Sequence, residues 1–193
     1  MVIWVTGLSG SGKTTLCNAI RRSVKKAVPE LVLLDGDQVR AAFGHDLGHR
    51  EEDRVVGFKR LQNIAGLLSK QGLTVVVAAV YSNPELLKWN RGNFRDYFEI
   101  YLDASIDTVR DRDDKGLYAK ALTGEISDVV GIDIPLNIPQ SPDLVLDANH
   151  PDTPERMARQ IINAIPYFAR ALNLNKNGRN HRRQSAASKS AKD

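Results

Sequence analysis

The 193-residue sequence predicts an α/β fold, a parallel sheet with helices on both faces. Three observations predict it. Short apolar runs alternate with segments of helical periodicity along most of the chain. The first run, Val2–Thr6, passes directly into the loop GLSGSGKTT (residues 7–15), after which a helical pattern begins. The run Leu73–Val80 is β-branched and apolar at nearly every position, the pattern of a central strand buried on both faces.

Taken in order, Val2–Thr6 predicts a buried strand and Lys13–Ala27 the helix that follows its loop. Leu31–Leu34 predicts a second strand, ending at Asp35. Phe58, Leu61, Ile64, Ala65 and Leu68 give Glu51–Lys70 helical spacing. Leu73–Val80, Tyr97–Asp103 and Leu144–Asp147 predict three further strands. Thr153–Leu172 predicts a closing amphipathic helix, with Thr153 as N-cap and Pro154 at the first helical position. Asp111–Ser141 breaks the rhythm, being charged and then rich in Gly, Pro and Ile. A segment this long between two strands is expected to be a mobile lid. No internal repeat is visible.

Composition excludes several classes. Apolar residues make up 42% and charged residues 26%, the mix of a globular protein large enough to bury a core. The apolar runs are too short to span a bilayer, the N-terminus carries no signal-type segment, and Cys17 is the single cysteine. A cytoplasmic protein without disulfides or membrane contact is expected. The formal charge of +4 resides in the tail: Lys176–Asp193 holds six Lys or Arg and one Asp, net +5, which leaves the body near −1. The expected organisation is one domain over residues 1–172 and a disordered basic tail over 173–193. No aromatic residues interleave with the tail's charges, so nucleic acid is not the expected partner.

The loop matches G-x-x-x-x-G-K-[ST] in the context its chemistry needs, strand before and helix after. Gly7, Leu8, Ser9, Gly10, Ser11, Gly12, Lys13, Thr14 and Thr15 are the candidate ATP-binding residues. Their main-chain N–H groups approach phosphate oxygens, the helix N-terminus adds partial positive charge, Lys13 reaches the outer phosphates and the Thr14 hydroxyl serves Mg²⁺. The fold is thus of the P-loop NTPase type, with a lid segment. A GTP switch requires an N-K-x-D motif, which is absent, and a motor ATPase requires a longer chain. A small-molecule kinase fits both the length and the lid. Asp35-Gly36-Asp37, at the carboxyl end of the second strand, supplies two carboxylates where ligands bind in parallel sheets. They can orient Mg²⁺ and its waters or accept a proton from an attacking hydroxyl, whereas the alternative is a plain turn. Arg40 returns to the same helical face as Asp37. Arg54, Lys59 and Arg60 are candidates for holding an anionic acceptor. Cys17 is expected to be packed rather than reactive.

Five stretches together resemble the adenylylsulfate kinase family: GLSGSGKTT, LDGDQVR (34–40), DLGHREEDR (46–54), RDDKGLYAKALTGEI (112–126) and GIDIPLNIPQSPDLVLD (131–147). The resemblance covers roughly residues 1–170 and implies transfer of a phosphoryl group from MgATP to the ribose 3′-hydroxyl of adenylyl sulfate, giving the activated sulfate donor of sulfate assimilation. It implies catalytic roles for Lys13, Asp35, Asp37 and Ser82 (the last matching a family phosphoserine), metal contacts from Thr14 and Asp35, an ATP contact from Arg112, and acceptor contacts from Arg40, His49, Arg54, Gly57, Lys115 and Val129. A small-molecule nucleotide is the expected partner, and a homodimer the expected assembly.

The sequence departs from the family at four acceptor positions. His49 replaces a phenylalanine, Val129 replaces a second one, Gly57 replaces an asparagine, and Tyr81-Ser-Asn-Pro-Glu85 replaces I-S-P-[YH]-R. Valine cannot stack as an aromatic does. The MVIW start and the VVGIDI and KWNR segments are similar to a branch of the family that phosphorylates cytidine diphosphoramidate, so that acceptor stands beside adenylyl sulfate.

Overall fold

The computed structural model describes residues 1–81, 83–114, 116–150 and 152–173. Five parallel strands, β1 (Val2–Thr6), β2 (Leu31–Asp35), β3 (Thr74–Ala79), β4 (Tyr97–Asp103) and β5 (Leu144–Asp147), form one sheet in the order β2-β3-β1-β4-β5. Each predicted strand is present within a residue or two of its expected bounds.

Alternation along β1 explains the two layers of helix. Ile3 and Val5 face a core shared with α1 (Lys13–Val24) and α7 (Pro154–Ala164), while Val2 and Trp4 face a second core with Phe58, Leu61 and Ala65 of α3 (Glu51–Lys70) and Leu86 and Leu87 of α4 (Pro84–Asn93). Because β1 and β3 are covered on both sides, all their residues are buried.

Three shorter helices complete the chain: α2 (Gly36–Ala42), α5 (Ile106–Asp111) and α6 (Leu117–Leu122). With α4, these lack the long apolar period that announced α3, and local caps start them instead. The Asp35 carboxylate accepts from the backbone N–H of Asp37 (3.0 Å), and Asn83 accepts from that of Glu85 (3.0 Å) just ahead of Pro84. The closing helix differs from expectation. It stops at Ala164, because Pro166 has no N–H and drives Ile165 into extended backbone, and helix resumes over 166–173. The first helix likewise ends at Val24, short of the predicted Ala27.

Register positions the functional end. Thr6 pairs with Ala79 and Asp35 with Ala78, so the loop after β1, the turn after β2 and the Val80-Tyr81 exit from β3 leave the sheet together. The basic tail from 174 onward lies outside the described residues. Among the described residues no helix is long and apolar enough to cross a membrane.

Candidate active site

At this edge lies a cleft of ≈ 1020 Å³, at the top of the range of about 300–1,000 Å³ typical of ligand pockets. One end is lined by Ser9, Gly10, Gly12, Lys13, Thr14 and Thr15, and the other by Arg40, His49, Arg54, Gly57, Tyr81 and Val129, with Asp35 and Asp37 also in its wall.

The phosphate-loop end is built from main chain. Gly7 packs so closely on β4 that a Cβ there would stand 2.6 Å from the Leu102 carbonyl oxygen. Gly7, Leu8 and Ser11 lie behind the cleft surface, where Leu8 is core and the buried Ser11 hydroxyl has no hydrogen-bond partner. Lys13 is buried and its Nζ donates to the Leu8 carbonyl (2.6 Å). Burial pulls its pKa down to about 8 against the opposing charges of Asp37 and Asp35. The neighbouring Cys17 thiol is pushed up to about 12, chiefly by burial, which agrees with a packed, unreactive role.

Thr14 Oγ1 donates to Asp35 Oδ2 (2.6 Å), and the other carboxylate oxygen caps α2. A hydroxyl and a carboxylate beside a phosphate cradle are the hard oxygen donors that suit Mg²⁺, which takes its remaining ligands from phosphates and water. Among the described residues no cluster of three or more His, Cys, Asp or Glu forms a metal cage. Arg112 also lines the cleft, and its Nη1 donates to the Ala148 carbonyl (2.9 Å) beyond β5.

The other end is built from arginine side chains that brace loops. Arg40 Nη1 donates to the carbonyls of Leu47 and Gly48 (both 2.6 Å). Arg54 Nε donates to the His49 carbonyl (2.7 Å) and its Nη2 to that of Asp128, tying the 43–50 loop to the foot of the 111–141 segment. Arg60, a sequence candidate for anion binding, is committed elsewhere. It makes a bidentate pair with Asp46 (2.9 and 2.7 Å) and stacks on Phe43 at 4.1 Å. Partial burial, reinforced by the charges of Arg40 and Arg54, lowers the His49 pKa, so this ring is neutral at pH 7.

The 111–141 segment is docked on the phosphate loop. Asp113 accepts from the N–H groups of Leu117 and Tyr118 to start α6, and the buried Tyr118 hydroxyl donates to the Ser9 carbonyl (2.9 Å). Gly131, at φ 95°, leaves no room for a Cβ, which would meet Ile106 and stand 2.9 Å from Leu8 Cδ2. Val129 lines the cleft yet is buried, its N–H donating to Asp133 (3.1 Å). Ser82 and Lys115, two sequence candidates, lie outside the described residues.

The family model for adenylylsulphate kinase matches residues 1–147. The chain belongs to the adenylylsulphate kinase family. It is therefore a kinase that transfers a phosphoryl group to a hydroxyl. An adenylyl-sulfate kinase of Deinococcus deserti is 41% identical over 145 residues, covering 75% of this chain and 80% of the relative. A cytidine diphosphoramidate kinase of Campylobacter jejuni is 37% identical over 164 residues, covering 85% and 95%. Among solved structures, Mycobacterium tuberculosis APS kinase CysC in complex with AMPPNP and APS superposes with a TM-score of 0.77 at 35% identity, covering 84% of this chain and 95% of that one.

One contact beside this family member's cleft, made by the lining residue Tyr81, was not assigned from sequence. The Tyr81 hydroxyl donates to the carboxylate of Glu51, the first residue of α3, and accepts from Asn83 Nδ2 (3.3 Å). Tyr81 stood out only as part of a departure from the family pattern, and nothing local links it to a residue thirty positions earlier.

Proposed function

We propose that the chain transfers the γ-phosphoryl group of MgATP to the ribose 3′-hydroxyl of a nucleotide, with adenylyl sulfate as the acceptor its family supports best. The observation that carries this reading is the continuity of the cleft. A phosphate loop at one end and an arginine-braced pocket at the other share one cavity, with Asp35 and Asp37 also in its wall.

The residues divide the work as follows. Main-chain N–H groups of the 7–15 loop and Lys13 hold the phosphates, Arg112 supports ATP at the β5 side, and Arg40 and Arg54 face the acceptor's anionic groups. Thr14 and Asp35 would hold Mg²⁺, which when bound would neutralise charge on the phosphate oxygens. Asp37 takes the proton from the attacking hydroxyl as its oxygen bonds to the γ-phosphorus and the bond to ADP breaks. Among the charges around Lys13, Asp37 acts on it most strongly, which supports this proximity. Asp111–Ser141 acts as the lid over the donor, moored through Tyr118 and Gly131, on a domain ending near residue 172. A homodimer belongs to the same proposal, supported by the exposed Val56 and Leu67 on α3.

A second acceptor, cytidine diphosphoramidate, is favoured by a specific feature: Gly57 and Val129 leave the acceptor end with neither an amide nor an aromatic ring at those positions. A coupled ADP-release assay with the two acceptors side by side tests the proposal. Acceptor-dependent ADP release with either supports a nucleotide kinase. ADP release that ignores both acceptors overturns it.

A further inference from the structure

The acceptor end contains a polar corner with an unusual balance of donors and acceptors. The Tyr81 ring lines the cleft, stacked edge-on against Phe58 with centroids 6.3 Å apart. Phe58 in turn packs on the buried Trp4 at 4.6 Å, so the phenol is held by rigid neighbours. Its hydroxyl spends its one proton on Glu51 and receives one from Asn83. Asn83 is held in place from both ends of its amide, since its carbonyl oxygen caps α4 through the N–H groups of Glu85 and Leu86 while one of its two N–H groups serves Tyr81. Burial and the Glu51 hydrogen bond push the Tyr81 pKa up to about 12, so the phenol stays neutral.

Tyr81 lines the cleft while Glu51, exposed, stands at its margin on the far side of the phenol hydroxyl, and the two together offer a ligand acceptor capacity: the second oxygen of the Glu51 carboxylate and a remaining lone pair on Tyr81. Arg54, whose charge acts on both residues, stands next to it. A site that pairs a fixed carboxylate with a neighbouring guanidinium matches a ligand carrying an N–H donor close to an anionic group.

We propose that Glu51, held in place by Tyr81, reads an amino group on the acceptor, so that Glu51 is a specificity-determining contact and Tyr81 its positioning residue. This rests on the nucleotide-kinase reading above and deepens it by naming the chemistry the acceptor must present. An –NH₂ group can come from the exocyclic amine of the base or from a terminal amide on the phosphate chain. Either meets the same carboxylate.

The test compares kcat/KM of wild type, Glu51→Ala and Tyr81→Phe on matched acceptors. Adenylyl sulfate is set against its inosine counterpart, and cytidine diphosphoramidate against uridine diphosphoramidate, which lacks only the base amine. CDP, which lacks only the terminal amide, is the third comparison. Wild type is expected to prefer the amine-bearing member of at least one pair. Glu51→Ala should shrink that preference by about ten- to a hundredfold, the scale of a lost charge-assisted hydrogen bond. The change should fall mainly in the acceptor KM, with the KM for ATP unchanged, and Tyr81→Phe should act in the same direction with a smaller change. Loss confined to the base pairs identifies the base amine as the group read, and loss confined to the CDP comparison identifies the terminal amide. Preferences that stay unchanged in both variants, or a wild type without any preference, overturn the inference while leaving the kinase intact. A wild type that phosphorylates no nucleotide overturns the proposed function and this inference with it.

Discussion

The two ends of the cleft are made from different materials. At the donor end the ligand-facing surface is largely main chain, fixed by the tight seat of Gly7 against Leu102 and backed by the buried side chains of Leu8, Ser11 and Lys13. At the acceptor end long side chains do the positioning: Arg40, Arg54 and Arg60 reach from helices to carry the 43–50 loop, most of which is exposed. A main-chain site tolerates few sequences, because a Cβ at Gly7 would collide with β4 and Gly10 and Gly12 hold positive φ angles that side chains rarely adopt. A site of loops strung on arginines can change its lining residues one at a time while the braces stay. That contrast offers a physical reason for the sequence reading, in which the donor motif keeps the family pattern and four expected acceptor positions depart from it.

The largest expected effect is at the donor end. Lys13→Ala removes the cation proposed to hold the transferred group, an interaction typically worth several kcal/mol, and should lower turnover at least about a hundredfold. Among the described residues the buried Lys13 amine has the Leu8 carbonyl as its hydrogen-bond partner, so circular dichroism should show the fold retained. Near-normal turnover would remove the donor end from the chemistry.

The next probes the acceptor end. The triple change His49→Phe, Gly57→Asn and Val129→Phe should raise kcat/KM for adenylyl sulfate by about ten- to a hundredfold. Stacking contributes about 1–3 kcal/mol per base and a satisfied hydrogen bond about 1 kcal/mol. Position 57 has space for a side chain, since a Cβ would meet only Leu47 Cδ1 at 3.6 Å. Position 129 is tighter, and its ring must turn into the cleft. An unchanged kcat/KM would mean that the substitutions there are neutral.

A pH effect sharpens the donor side. Lys13 titrates at about 8 in the free fold, against an ordinary value of 10.5. Between these values unfolding takes up a proton, so the free protein gains stability as pH rises through this window. Phosphates favour the protonated amine, so ATP binding near pH 8 to 9 should take up protons and weaken as pH rises. Calorimetric titration in two buffers of different ionisation enthalpy measures the uptake, and Lys13→Met should abolish it. The smallest effect is expected from deleting Lys176–Asp193, which carries almost no apolar surface and should leave turnover within about twofold.

How much of this was legible in the sequence follows the same division. The five strands, α3 and the phosphate loop carry signals within single windows, namely apolar runs, a 3.6-residue period and a fixed glycine spacing. That Asp35 and Asp37 stand in the cleft wall was legible from their position at the carboxyl end of the second strand. The fates of the arginines were not legible. Arg60 and Arg54 share a helix and a charge, and nothing local shows that Arg60 is taken up by Asp46 and Phe43 while Arg54 bridges His49 and Asp128. The Tyr81–Glu51 pair depends on α3 starting beside the end of β3, a tertiary fact with no local periodicity. Pro166 could have been read as a helix breaker, and the apolar stripe running through it hid the break.

The most direct measurement follows the phosphoryl group itself. Wild-type protein is given ATP labelled in the γ-phosphoryl group, with and without adenylyl sulfate or cytidine diphosphoramidate, and the products are separated. A cleft that joins a donor loop to an acceptor pocket predicts label on the nucleotide, at its 3′-oxygen, in proportion to the ADP formed. Label appearing only as inorganic phosphate, at a rate indifferent to either acceptor, would contradict it.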